Sequence, residues 1–287
     1  MLSDRQFSEV IITRPEKQAL LWAKKLSLCD IDSRIISLLE IKSFRNFDTE
    51  KESVLRPIKN CILNLDLYQK IIFVSQHAVE YGMEWIENYW PQIPIGVDFF
   101  AVGETTANLL RNYGVTVQDL AATTRGNMNS ESLLSAPGLQ QVSGDKILIV
   151  RGVGGRGHLA EELRKRGANV EYCEVYQREI PAQAKTQLLE WLRELQGSPF
   201  QEPILMAFHS GETLHNFQQL MNQIADETKL DLQKCYGNLS AVIPGARLER
   251  EALAVGFAHC ILAANATDEA MTAAVKHYFR SNQRDGK

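Results

Sequence analysis

Short, almost wholly apolar runs alternate with segments of helical periodicity along nearly the whole chain, and this alternation restricts it to one fold class. The runs are "EVIITR" (9–14), "SRIISLLEI" (33–41), "KIIFVS" (70–75), "DFFAVG" (98–103) and "VTVQDL" (115–120). They continue with "KILIVRG" (146–152), "NVEYCEVYQRE" (169–179), "ILMAFHS" (204–210), "SAVIPG" (240–245) and "HCILAA" (259–264). A strand that is apolar at nearly every position needs cover on both faces, which a parallel sheet flanked by helices provides. Right-handed βαβ units and an α/β fold follow.

A weak internal repeat divides the chain. The segments "NLLRNYGVTVQDL", "EELRKRGANVEYC" and "REALAVGFAHCIL" each run helix, glycine, two residues, strand. Gly114, Gly167 and Gly256 would sit just past a helix end, where a left-handed residue is needed. "KKLSLCDIDSRII" repeats the pattern with Cys29 in the glycine position. Repeats spread this widely predict two related halves, and 287 residues suit two domains. The stretch 42–57 is polar and reads as a connection or an added helix, and 185–195 reads as an amphipathic helix.

Bulk properties exclude several classes. A net charge of −4 argues against broad nucleic-acid binding, so no nucleic-acid partner is expected. The five cysteines are dispersed and lack any C-x-x-C spacing, which predicts reduced thiols in a cytoplasmic protein. The start "MLSDRQFSEVIITRP" has no secretory pattern, and no segment approaches the roughly 18 consecutive apolar residues of a spanning helix. No membrane association is expected. Nothing in the sequence marks an obligate dimer seam, and a monomer is expected.

Ligands of open parallel sheets bind beyond the carboxyl ends of the strands. The residues at those ends are Thr13-Arg14, Ser75-Gln76-His77, Gly103-Glu104-Thr105-Thr106, Arg151 with the following glycines, Ser210-Gly211-Glu212-Thr213, and Gly245-Ala246-Arg247. Each turn feeds a predicted helix, and small or hydroxyl residues leave helix N-terminal N–H groups open to an anion. Ser and Thr also cap helices without any ligand, so it is the gathering of these turns on one edge that suggests an anion-binding cleft.

The stretch "KILIVRGVGGRGHLAEELRKRGANVEY" (146–172) comes close to a dinucleotide-binding fingerprint. Gly152, Gly154 and Gly157 fit G-x-G-x-x-G, and Glu171 follows at the start of the next strand. The ribose-binding acid should stand at that strand's end, where Glu174 fits better by position. The loop could therefore hold a pyrophosphate or another anion. The P-loop pattern, the H-E-x-x-H pattern and the G-x-S-x-G elbow are all missing from the sequence. Chemistry resting on positioning and acid assistance is what remains.

Several blocks together resemble the uroporphyrinogen-III synthase family. "VIITRPEKQALLWAKKL" is similar to that family's V-T-R-P-x-x-Q-A opening, and "YQKIIFVSQHAVEYG" to its Y-D-x-x-I-F-T-S-x-N-A-V block. "AVGETTANLLRNYG" is similar to V-G-x-x-T-A-x-x-L-x-x-x-G, and "NSESLL" to the S-E-x-L-L that follows. "ILIVRGVGGRGHLAEELRKRGANVEYCEVYQREIP" resembles the R-G-x-x-G-R segment with its Y-x-R strand, and "AFHSGETLHNF" and "ARLEREALAVGF" fall where two later blocks belong. The chain departs from the pattern at Gln69, Val74, His77 and His209, where the family favours Asp, Thr, Asn and Thr, and at Pro244-Gly245, where Ser often precedes the late arginine. Contacts through those side chains are not carried over, whereas backbone N–H contacts are.

The resemblance implies two flavodoxin-like parallel-sheet domains joined by a two-stranded antiparallel linker. Domain 1 would comprise 1–40 with 178–287, domain 2 would be 45–170, and the linker strands would be 41–44 and 171–177. The ladder would draw on the long strands within 33–44 and 169–179. The resemblance also implies cyclisation of hydroxymethylbilane, a linear tetrapyrrole octa-acid, without any cofactor or metal. Tyr176 would be the general acid. Substrate carboxylates would meet Thr13, Arg14, Ser75, Gln76, His77, Gly103, Thr105, Thr106, Arg151, Gly152, Gly154, Gly155, Arg156, Ser210, Gly211 and Thr213. Two alternatives stand beside this reading: an NAD(P)-dependent oxidoreductase using the 152–157 loop, and a non-catalytic tetrapyrrole-binding relative.

Overall fold

The structure is a computed structural model that describes residues 9–45, 52–118, 130–155, 157–196 and 204–285. The first stretch carries β1 (Val10–Ile12), α1 (Glu16–Ser27) and β2 (Ser33–Ile35). The middle carries β3 (Glu40–Ser43), α2 (Glu52–Leu63), β4 (Lys70–Phe73), α3 (Gln76–Tyr89), β5 (Asp98–Ala101), α4 (Glu104–Asn112), α5 (Ser130–Leu134), β6 (Lys146–Gly152), α6 (His158–Lys165) and β7 (Asn169–Glu179). The last carries α7 (Ala184–Gln196), β8 (Ile204–Ala207), α8 (Gly211–Thr228), α9 (Leu232–Gly237), β9 (Leu239–Pro244), α10 (Ala246–Val255), β10 (His259–Ala263) and α11 (Asp268–Asp285).

These elements form two compact units. A split unit comprises Met1–Glu40 with Glu179–Lys287, and a continuous unit comprises Ile41–Arg178. Each has its own sheet. The split unit orders its strands β10-β9-β8-β1-β2 with every pairing parallel, Val10 lying opposite both Ser33 and Leu205. From β2 this is the flavodoxin-like order. The continuous unit orders its strands β3-β7-β6-β4-β5, parallel from β7 through β5.

Period-two alternation explains why the runs are apolar throughout. In β1 and β8, Ile11 and Met206 enter one core with Trp191, Phe208 and Phe217, while Val10, Ile12, Leu205 and Ala207 enter another with Trp22 and Met271. In β4 and β6, Ile71, Phe73, Leu148 and Val150 face one core, and Ile72, Ile147 and Ile149 the other. Both faces of each sheet are covered by helices, as an apolar run requires. Burying one such side chain contributes about 1.5–3 kcal/mol.

The long run 33–41 is not one strand. β2 pairs with β1, β3 lies beside β7 in the other sheet, and residues 36–39 between them are buried without strand pairing. Leu38 donates its N–H to the Thr13 carbonyl at 2.9 Å. Apolarity continues through the crossover because that segment is also core, and this masks the break. The polar 42–57 stretch yields α2 from Glu52 onward, anchored by buried Ile58 and Ile62, with Pro57 inside the helix. In 115–120 only Val117 pairs, by a bridge to Phe99, and 119–120 lie outside the described residues. Gly114, Gly167 and Gly256 have φ of 76°, 88° and 119°. In the fourth repeat the left-handed residue is Asp30, at φ 56°, one position later than Cys29.

Candidate functional site

Both sheets place a topological switch point beside their first full-length strand. In the continuous unit the chain goes from β4 to β5 on one side and then to β6 on the other, so the carboxyl ends of β4 and β6 flank the crevice. Ser75 follows β4 and caps α3, its Oγ accepting from the Ala78 N–H at 3.1 Å. The same oxygen lies 3.1 Å from the Tyr176 hydroxyl.

Tyr176 reaches Ser75 because β7 changes register. Arg151 pairs with Glu174, but Gly152 pairs with Tyr176, so Val175 is the extra residue of a bulge. Adjacent residues Val175 and Tyr176 therefore both enter the same core. The ring also requires Gly152. A Cβ there would overlap Tyr176, and a Cβ on Gly155 would overlap the Arg151 guanidinium. Gly154, at φ 74°, makes the turn between them.

Arg151 is buried, yet several groups surround its charge. Its Nε donates to the Gly152 carbonyl at 3.1 Å, its guanidinium stacks 4.5 Å from the Tyr172 ring centre, and Glu174 lies 3.8 Å away. Arg151 and Tyr172 line a cavity of about 280 Å³ with Val74, Ser75, Gly152, Gly155, Tyr176 and Arg178. Exposed Gln76 and half-buried His77 occupy the first turn of α3, and the His77 and Tyr81 rings each lie 5.9 Å from Tyr176. Gly103, at φ 89°, precedes α4, where Thr105 is exposed and Thr106 buried. Arg156 lies outside the described residues.

The split unit has the same crevice between β1 and β8, filled differently. Thr13 is fully buried and donates to the Ala207 carbonyl at 2.7 Å. Arg14 pairs with Asp268 at 2.5 Å and spends its remaining nitrogens on Gln18. Ser210 caps α8, accepting from the Thr213 N–H at 3.3 Å, and the buried Thr213 hydroxyl donates back to the Ser210 carbonyl at 2.8 Å. Gly211 packs near Glu251 and Leu248. Both His209 ring nitrogens are buried without a hydrogen-bond partner among the described residues, and the ring meets Trp22 edge-on at 4.8 Å. Burial, aided by the Arg14 charge and opposed by Asp268, holds this imidazole down at about 4.

The dinucleotide reading loses its acid. Glu171 sits near the start of β7, opposite Leu148, where it accepts from the Tyr68 hydroxyl and lies 3.7 Å from Lys146. Glu174 faces Arg151. The sequence also singled out neither Tyr81, Tyr172 nor Asp268, whereas Arg178 stood in the Y-x-R strand of the resemblance. Asp268 stands 254 residues from the arginine it holds, so no local pattern could have signalled it.

The profile of the family described as uroporphyrinogen-III synthase HemD matches residues 26–273. The chain belongs to the uroporphyrinogen-III synthase family. It is 30% identical to the Escherichia coli uroporphyrinogen-III synthase over 207 residues, covering 71% of this chain and 76% of that protein. It is 32% identical to the Salmonella typhimurium synthase over 169 residues, covering 59% and 64%. Among solved structures, a mutant uroporphyrinogen III synthase from Thermus thermophilus is similar with a TM-score of 0.58 at 15% identity, over 96% of this chain and 99% of that one. The Helicobacter pylori uroporphyrinogen-III synthetase gives 0.52 at 13% identity, over 94% and 99%. These last two likenesses carry the fold. Uroporphyrinogen-III synthases are cyclising lyases of tetrapyrrole biosynthesis, and the nicotinamide alternative is not favoured. No helix among the described residues is long and apolar enough to cross a membrane.

Proposed function

We propose that this member of the uroporphyrinogen-III synthase family cyclises hydroxymethylbilane to uroporphyrinogen III, with loss of water and inversion of ring D. The observation that carries the reading is the convergence of Tyr176, Arg151, the glycine turn at 152–155 and Ser75, the cap of α3, on one cavity at a switch point. Tyr176 protonates the departing hydroxyl of the terminal hydroxymethyl group, and water leaves to give an azafulvene. Ring D then attacks in reversed orientation through a spiro intermediate, with no cofactor taking part. The Ser75 hydrogen bond fixes the direction of the phenol.

Eight carboxylates need many donors. The first turns of α3, α4, α6 and α8 present N–H groups, and Gln76, His77, Thr105 and Arg151 stand beside them. The cavity is too small for a tetrapyrrole and suits one ring with its acid arms. Thr13, Thr106 and Thr213 support their turns from within, so their contribution is backbone geometry. Arg14 serves a carboxylate only by exchanging it for Asp268.

β3 and β7 neighbour one another, and the boundaries between the units fall at Glu40/Ile41 and Arg178/Glu179, within these two strands. This supports an antiparallel linker of 41–44 with 171–177 between the two domains. The protein works as a cytoplasmic monomer in this reading. Hydroxymethylbilane closes spontaneously to the uninverted isomer, and each tenfold preference over that path needs about 1.4 kcal/mol of differential stabilisation. Supplying freshly made hydroxymethylbilane and separating the product isomers tests the reading. The type III isomer should dominate. Uninverted product at the spontaneous rate would overturn it.

A further inference from the structure

We propose that Cys61 and Cys173 form a redox pair, in which a hydroperoxide oxidises Cys61 and Cys173 then closes a disulfide joining α2 to β7. The inference stands on these two sulfurs and not on the synthase chemistry. Cys61 lies near the end of α2 and is half-buried, whereas Cys173 lies within β7 and is buried. Cys61 packs against the apolar cluster that contains Cys173, and its Sγ lies 3.8 Å from the carbonyl of Tyr172, the residue before Cys173. Cys61 is thus the more exposed residue and Cys173 the more buried one, the order an attacking and a resolving thiol require.

The surroundings favour attack by Cys61. The neighbouring Cys173 thiol, against the cost of burial, holds the Cys61 thiol down at about 7. The Cys61 thiol, with burial, pushes Cys173 up. Tyr68 and Lys146 favour the Cys61 thiolate and Glu171 opposes it; Lys146 and Glu171 lie 3.7 Å apart, and the Tyr68 hydroxyl donates to Glu171. By contrast, burial pushes both Cys235 and Cys260 up to about 11.

The electron balance is simple. The Cys61 thiolate attacks a peroxide oxygen; an S–O bond forms, the O–O bond breaks, and the leaving hydroxide takes a proton to become water. The Cys173 sulfur, giving its proton to solvent, then attacks the Cys61 sulfur. The S–S bond forms, the S–O bond breaks, and a second water leaves. Two thiols are oxidised and one hydrogen peroxide is reduced to two waters.

The test treats the full chain with a small excess of hydrogen peroxide, blocks free thiols by alkylation, and maps the digest by mass spectrometry. The expected product is a Cys61–Cys173 cross-linked peptide pair, two hydrogens lighter than its parts and separated again by dithiothreitol. Cys173→Ala should leave Cys61 as a sulfenic acid that dimedone traps, and Cys61→Ser should leave Cys173 alkylatable. Wild-type Cys61 oxidised without any link to Cys173 would overturn the proposal. So would both cysteines remaining alkylatable after another thiol of the chain has reacted.

Discussion

The two sheets share a strand order around their first full-length strands, yet the crevices at their switch points are furnished in opposite ways. In the continuous unit the crevice is a cavity lined by hydroxyls and an arginine: Ser75, Tyr176 and Arg151. In the split unit the corresponding groups are already committed, Thr13 to Ala207 and Arg14 to Asp268, with the His209 ring nitrogens buried and without a hydrogen-bond partner among the described residues. Topology chooses the place where a ligand can sit. The side chains after each strand decide whether that place offers a proton donor or only a scaffold. The proposed acid chemistry therefore falls to the continuous unit.

Replacing the phenol should separate the two crevices most sharply. Tyr176→Phe keeps the ring packing and removes the proton, so kcat should fall roughly ten- to a hundredfold. Steady-state rates within twofold of the parent would take Tyr176 out of the mechanism. Gly152→Ala should act through the same group. Its methyl overlaps the Tyr176 ring, which should cost about 1–3 kcal/mol of stability and lower kcat severalfold. A Gly152→Ala, Tyr176→Phe double variant should lose little more activity than Tyr176→Phe alone; losses that multiply would mean the glycine acts elsewhere.

Ser75→Ala removes a helix cap and the phenol's partner, for about 1 kcal/mol in a denaturant melt with a modest fall in kcat. An unchanged melt would dissolve the capping argument. In the split unit the effect is smallest at neutral pH and grows with acid. His209 sits at about 4 in the folded chain against an ordinary 6.5, so the unfolded chain binds the proton first. Its contribution is complete above pH 6.5 and is lost as pH falls toward 4, by about 1 kcal/mol per pH unit. His209→Phe should flatten that part of the stability profile. An identical acid slope would contradict the burial of a neutral imidazole.

Much of this architecture was legible in the residues, for reasons that also mark where reading fails. The runs 146–152 and 169–179 become β6 and β7 with the expected ends, because each is bounded by a turn and a capping glycine. The split of 33–41 into β2 and β3 was not legible, since core apolarity continues through the crossover. Ser75 and Ser210 show their caps in a local pattern. The bulge that turns Tyr176 toward Ser75 has no such pattern, because it depends on how β7 meets Gly152. Pairings across long separations, such as Arg14 with Asp268, lie outside any sequence window.

Assigned backbone amide NMR, titrated with uroporphyrinogen III under reducing conditions, tests most directly whether the chemistry resides in the continuous unit. The amides of Gln76 to Val79 and of Gly152 to Gly155 should shift the most and saturate together. Saturating shifts that leave those residues unmoved, and gather instead around the separate cavity between Leu189 and Leu239, would contradict the account.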